Sequence, residues 1–245
     1  MKRFIILIML GLVLILSACN GFAFGSNFVR GSGVVATDNR TVSGFSGIVL
    51  NGSGDATITQ GDTESLKIEA DDNILPLITS EVIGGKLVLG FKNNTSISTV
   101  LPVRFTITVK DLTSLELNGS GNANVGNLTT STQAVTLRGS GDVKLSLLQA
   151  SQLTVDGNGS GNINISGGKV NSQAVRIFGS GSFNAPDLES QTASVSILGS
   201  GGAEIWAKTS LDVSIAGSGN VAYYGSPTVT QKITGSGNVS GRGSK

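Results

Sequence analysis

The sequence has no histidine, and its 245 residues include one cysteine, one tryptophan, two tyrosines and four prolines. Without histidine there can be no Ser-His-Asp triad, no Cys-His dyad and no His-ligated metal centre. A lone cysteine, Cys19, excludes a disulfide framework. Charge is scarce too: 17 Lys and Arg stand against 16 Asp and Glu. No basic patch or charge run stands out, so nucleic acid is not an expected partner. No Gly-rich phosphate loop followed by Lys-Ser/Thr is present, and no cofactor is expected.

What the chain has in abundance is glycine, 35 residues of it, and much of it recurs at a fixed interval. The tripeptide Gly-Ser-Gly opens at Gly119, Gly139, Gly159, Gly179, Gly199, Gly217 and Gly235. It closes at Gly121, Gly141, Gly161, Gly181, Gly201, Gly219 and Gly237. The intervals are four of 20 residues and then two of 18. A period this short is the signature of a solenoid, each repeat one coil stacked on the last.

Apolar residues alternate with polar ones on both sides of the tripeptide. Val195, Ile197, Gly199, Gly201, Ala203 and Ile205 share one parity, which is the period of a strand. By this parity both glycines fall on inward positions at a tight bend, and the serine between them points out. Each coil therefore reads as strand, bend, strand and polar return. Parallel coils at roughly 4.8 Å carry seven bends over roughly 29 Å. The fold class expected is all-β: a parallel β-helix with coils of 18–20 residues over 119–245.

Residues 31–118 are less regular and read as wider coils of the same single domain, 31–245. Gly31-Ser32-Gly33 and Gly52-Ser53-Gly54 occur here, then no copy for 67 residues. Strand-like runs sit at Ile48–Thr59, Leu66–Ala70, Lys86–Phe91 and Val103–Val109. Between them, 74–82 has the spacing of a short helix, capped by Asp72 or Asn73, with Pro76 in its first turn and Gly84-Gly85 ending it.

The N-terminus reads as an address. Lys2-Arg3 precede an apolar run to Leu16, then Leu16-Ser17-Ala18-Cys19. This fits a secretory signal over 1–18. Cys after Leu-Ser-Ala resembles the bacterial lipoprotein signal, which implies lipid on Cys19 as the mature N-terminus, a tether over 19–30 and a membrane partner. Asn20, rather than Asp, fits release to the outer membrane or cell surface.

Few residues suggest chemistry. The fourth residue of each repeat is Asn122, Asp142, Asn162, Ser182, Gly202, Asn220 or Asn238, an amide ladder rather than a calcium repeat, which has a nine-residue period. The outward ladder Glu116, Thr136, Asp156, Arg176, Ser196, Ser214, Lys232 mixes signs and never stacks two acids. Paired carboxylates for glycoside hydrolysis are not suggested, and Asp156 and Arg176 should form a surface pair. Phe178 and Leu198 should be neighbours on another outward ladder. Trp206 and Tyr224 occupy the same outward position in successive coils. They are the candidate ligand-contact residues, either an aromatic shelf of the kind that stacks on sugar rings or corner packing.

The repeated Gly-Ser-Gly-Asn/Asp, the segment Val42-Ser43-Gly44-Phe45-Ser46-Gly47-Ile48-Val49-Leu50-Asn51-Gly52-Ser53-Gly54-Asp55 and Gly84-Gly85-Lys86-Leu87-Val88-Leu89 resemble the bacterial family called putative auto-transporter adhesin, head GIN domain. The resemblance covers about residues 40–240. It implies a right-handed β-helix related in shape to pectin lyases, without established catalytic residues, and a role in adhesion. The sequence runs to Lys245 with no stretch that reads as a membrane barrel, so anchoring is expected from Cys19. Three functions follow as expectations. The first is a lipid-anchored, non-catalytic adhesion or glycan-contact module with a glycan or surface-protein ligand. The second is a self-associating structural protein of the envelope. The third is a carbohydrate-active enzyme.

Overall fold

A computed structural model describes residues 27–93 and 95–245. The leader, Cys19 and tether residues 19–26 lie outside the described residues. The last residues of the expected tether, Asn27–Arg30, form strand β1. The N-terminal half continues with β2 (Val35–Arg40), β3 (Gly47–Gly52), β4 (Asp55–Gln60), β5 (Ser65–Asp71), β6 (Ile78–Ile83), β7 (Lys86–Phe91), β8 (Thr95–Ser98) and β9 (Arg104–Val109). The repeats supply β10 (Ser114–Gly119), β11 (Ala123–Thr129), β12 (Thr132–Gly139), β13 (Val143–Gln149), β14 (Gln152–Gly159), β15 (Ile163–Ile165) and β16 (Gly168–Gly179). They end with β17 (Ser182–Gly199), β18 (Gly202–Gly217), β19 (Asn220–Tyr224), β20 (Thr228–Gly235) and β21 (Asn238–Gly241).

From β10 onward every ladder is parallel, and the bends stack in register. Gly119 sits on Gly139, Gly139 on Gly159, and so on to Gly217 on Gly235. The protein is a parallel β-solenoid. Inward side chains such as Leu117, Leu137, Val155, Ile197 and Ile205 are buried, while the residues between them face out. One inward position lacks a side chain. Gly157 stands between Leu137 and Ile177, beside a cavity of about 10 Å³.

The structure changes the account of the bends. The closing glycines up to Gly219 are buried and the serines exposed, as parity requires, but the opening glycines are half-buried or, at Gly159 and Gly235, exposed. They have φ between 120° and 140°, a region costly for a residue with Cβ. The carbonyl of each opening glycine before Gly235 accepts the Ser N–H of the next coil. In all but one bend it also accepts the closing Gly N–H, as Gly139 O does from Ser160 (3.0 Å) and Gly161 (3.2 Å). The bend is thus a two-N–H nest gripping the coil before it. A Cβ on either glycine would meet that coil's backbone, at 2.2 Å for Gly159 and 1.9 Å for Gly161. Close approach along the stack excludes a side chain at both, and at the closing glycines an inward side chain adds to it, such as Leu137 at 2.9 Å from a Cβ on Gly161.

The N-terminal half is more than a set of wider coils. β3 pairs with β10 on one side and β7 on the other, and β4 likewise lies between β11 and β9, all parallel. The first coil in sequence is therefore second in space. Beyond it the sheet turns antiparallel: β5 pairs with β9 and β2, and β6 with β7. The expected helix over 74–82 is absent. Leu75–Leu77 make one 3-10 turn containing Pro76, with no side-chain cap, and Ile78–Ile83 form β6. Gly84 and Gly85, both at positive φ, turn β6 into β7 as a hairpin. Gly31-Ser32-Gly33 is not a bend of the stack either. It packs on Asp71, whose buried carboxylate accepts N–H bonds from Gly33 (2.7 Å), Val100 (3.0 Å) and Leu101 (3.1 Å). Burial pushes this carboxyl up, but the Leu101, Gly33 and Val100 bonds together outweigh it and hold it below the usual range.

Candidate functional site

The fall in repeat length from 20 to 18 residues has a structural location. Opposite β18, the ladder runs from Ala185–Ile205 directly to Glu189–Trp206, so Pro186, Asp187 and Leu188 fall out of register; one residue is returned where Gln191 faces Lys208 and Thr209, which leaves the difference of two. Trp206 then pairs with Tyr224 across β18 and β19. Both are half-buried on the outer wall; Ile205 and Ala207 on either side of Trp206 are fully buried, and Tyr223 beside Tyr224 packs half-buried against the core. Alternation thus sends the two rings outward in adjacent coils.

The bulge places Asp187 beside the rings, where its carboxylate pairs with Lys245. The Lys245 ammonium lies 4.4 Å from the Tyr224 ring centroid and 5.8 Å from that of Trp206, within cation–π range. Glu189 is engaged separately, by Lys169 at 3.2 Å and Lys208 at 3.5 Å. The Lys169 bond is the main reason its carboxyl sits below the usual range, with Lys208 adding to it. The site is an aromatic pair with one carboxylate at its margin and one cation laid across it. Parity marked the rings. Asp187 and Lys245 carried no signal beyond the change in interval.

Other outward ladders are as the sequence suggests. Asn122 N–H and Nδ2 donate to Asp55 Oδ1 (2.9 and 2.8 Å), Asp142 N–H to Asn122 Oδ1 (3.1 Å), and Asn162 N–H and Nδ2 to Asp142 Oδ1 (2.8 and 3.1 Å). This amide ladder ties the coils together. Arg176 meets Asp156 at 3.5 Å, a surface pair of small worth. Phe178 and Leu198 are adjacent and about half exposed. Glu116 bonds to Asn118 at 3.0 Å and pairs with Arg138, and these contacts hold its carboxyl low. Among the described residues no three His, Cys, Asp or Glu side chains gather as metal ligands would.

The profile of the family described as putative auto-transporter adhesin, head GIN domain matches residues 44–227. The chain belongs to this family. Solved structures agree with the head GIN domain assignment. A putative adhesin from Bacteroides fragilis is similar over 87% of this chain and 99% of its own, at 26% identity and a TM-score of 0.82. A putative lipid binding protein from Parabacteroides distasonis covers 88% of this chain and 99% of its own, at 25% identity and a TM-score of 0.70. A putative adhesin, also from Parabacteroides distasonis, shares the fold at 23% identity and a TM-score of 0.69. Among curated proteins none matches the chain.

Proposed function

We propose that this head GIN domain protein is a lipid-anchored, non-catalytic adhesion module of the cell envelope that contacts glycans through Trp206 and Tyr224. Lipid on Cys19 attaches it to the outer membrane or cell surface, and the residues after it tether the solenoid. The observation that carries the contact site is the register of the two rings: outward, in adjacent coils, on a wall whose core fixes their backbones. Rings held roughly 4.8 Å apart at the backbone form a platform for the apolar face of a sugar. Kinship with proteins described as adhesins supports the module reading.

The test is a glycan titration followed through Trp206, the one tryptophan. Binding should shift its emission, and Trp206→Ala should abolish binding while the fold persists. Unchanged affinity in Trp206→Ala would remove the site. For the anchor, Cys19→Ala should leave the precursor uncleaved and unlabelled by a palmitate analogue; undiminished labelling contradicts it.

One observation favours the second reading, end-to-end packing of copies. Among the described residues no strand pairs with the far edges of β20 and β21, and Ile233 there is exposed. Such edges invite pairing. Sedimentation that shifts with concentration supports this reading, and a monomer at all concentrations removes it.

A further inference from the structure

The bend of the N-terminal coil lacks the partner that every later bend has. In each later copy the Ser N–H, and in all but one the closing Gly N–H, donate to a glycine carbonyl in the coil before. The same bend in the β3–β4 coil is Gly52-Ser53-Gly54. Gly52 has the positive φ of its counterparts and stacks in register beneath Gly119. The coil beyond it supplies no such corner. A Cβ on Gly52 would lie 3.0 Å from the Phe91 ring, and there the chain leaves the stack, since Lys92 N–H turns to Leu77 O. It rejoins at Val103, whose carbonyl accepts Asp55 N–H at 2.9 Å. Between these two points Ser53 N–H and Gly54 N–H have no partner among the described residues. Gly54 is buried, and a buried orphan N–H is rare in a folded protein.

A cleft opens beside the missing corner. This cavity of about 280 Å³ is lined by Gly52, Ser53, Phe91, Thr95, Ile97, Thr99, Gly119 and Ser120; Ser53 is the nest residue in the lining, while Gly54 lies outside it, where a Cβ would meet the Phe105 ring. The lining is two apolar side chains, four hydroxyls and glycine backbone, with no charged group. We propose that this cleft is a binding site for a neutral carbonyl-bearing ligand, an N-acetylated amino sugar, whose acetamido oxygen takes the place of the missing coil carbonyl. The nest shows its preference in the later copies, where it holds a carbonyl oxygen. Phe91 and Ile97 suit the acetyl methyl, and the hydroxyls suit the sugar's own. A carboxylate fits less well, because the lining offers no cation to offset its desolvation. The site is five coil steps, roughly 24 Å, from the Trp206 coil, and it stands whether or not the aromatic pair binds sugar.

The test is saturation-transfer NMR on the full chain in detergent micelles, with N-acetylglucosamine, glucosamine, glucose and glucuronate as probes. N-acetylglucosamine should bind, with its acetyl methyl receiving the strongest saturation. The other three should bind at least about tenfold more weakly, the effect of losing a carbonyl contact to an otherwise unpaired N–H. Thr99→Trp and Thr95→Phe, two independent ways to fill the cleft, should each abolish the methyl signal, and Trp206→Ala should leave it intact. Glucose binding as well as N-acetylglucosamine would overturn the proposal. So would loss of the signal in Trp206→Ala, its survival in both blocking variants, or no binding of any probe. Loss in Trp206→Ala alone would leave the aromatic contact standing while this cleft falls.

Discussion

Gly161→Ala should be among the most damaging single-methyl changes this chain can carry. The added Cβ would lie 1.9 Å from Gly141 O and 2.9 Å from Leu137 Cδ2. Real Cβ contacts stay beyond 3.0 Å, so the coils must part by about 1.1 Å at this corner. The carbonyl cannot move aside, because it belongs to a bend fixed from both sides. Parting stretches the bonds of Ser160 (3.0 Å) and Gly161 (3.2 Å) to Gly139 O beyond hydrogen-bonding range. Two lost backbone bonds at about 1 kcal/mol each, with overpacking of about 1–3 kcal/mol, give roughly 3–5 kcal/mol. In a chain of this size that lowers Tm by roughly 6–20 °C. Two controls bracket the result. Ser160 is exposed, so Ser160→Ala should change stability by less than about 0.5 kcal/mol. At Gly157 an added Cβ meets only Arg176 O, at 3.9 Å, and faces the small cavity. Gly157→Ala should therefore stabilise by about 0.5–1 kcal/mol. Thermal unfolding followed by far-UV circular dichroism ranks the three. Equal midpoints for Gly161→Ala and Ser160→Ala would refute the close-approach account of the bends.

Asp142→Ala removes the acceptor for Asn162 N–H and Nδ2 and should cost about 1–3 kcal/mol in denaturant unfolding, most of it regained in Asp142→Asn. Asp71→Asn should destabilise at neutral pH. Its folded-state pKa lies below the ordinary 3.8, so the charged form's contribution is full above that value and fades as pH falls through the lower folded one. The wild type's advantage should therefore shrink below about pH 4, and an advantage constant down to pH 2 would refute a stabilising role for the charged Asp71 carboxylate. Lys245→Ala should leave stability nearly unchanged and tighten glycan binding at Trp206 about two- to fivefold, the worth of the exposed cation–π contact it vacates. A weaker affinity would mean that Lys245 belongs to the ligand's contacts.

The stacked half of the fold could be read from the sequence because one residue type marks every coil at the same place. Parity through Val195, Ile197, Ala203 and Ile205 then sorted inside from outside, and with it the outward positions of Trp206 and Tyr224. Where that marker lapses, local signals served two outcomes. Gly84-Gly85 after Ile74–Ile83 ends a helix as readily as it turns a hairpin, and the partner that decides, Lys86–Phe91, follows the turn. The stacking of Gly52 under Gly119 spans 67 residues, and no period links them. In sequence Asp71 is one of three consecutive polar residues, Asp71-Asp72-Asn73, yet its bonds run to Gly33, Val100 and Leu101 on separate segments. The empty nest at Ser53 and Gly54 is invisible in sequence for the same reason: it is defined by a coil corner that the chain bypasses. Asp187 and Lys245 reach the rings through a bulge and a distant segment, neither of which a spacing rule encodes.

The most direct test of the account is adherence of intact cells to a surface coated with a bound glycan, comparing the wild-type protein with Trp206→Ala at equal surface amount. The account predicts that wild-type cells adhere and that the variant reduces adherence to the level of cells lacking the protein. Equal adherence of the two strains would contradict it.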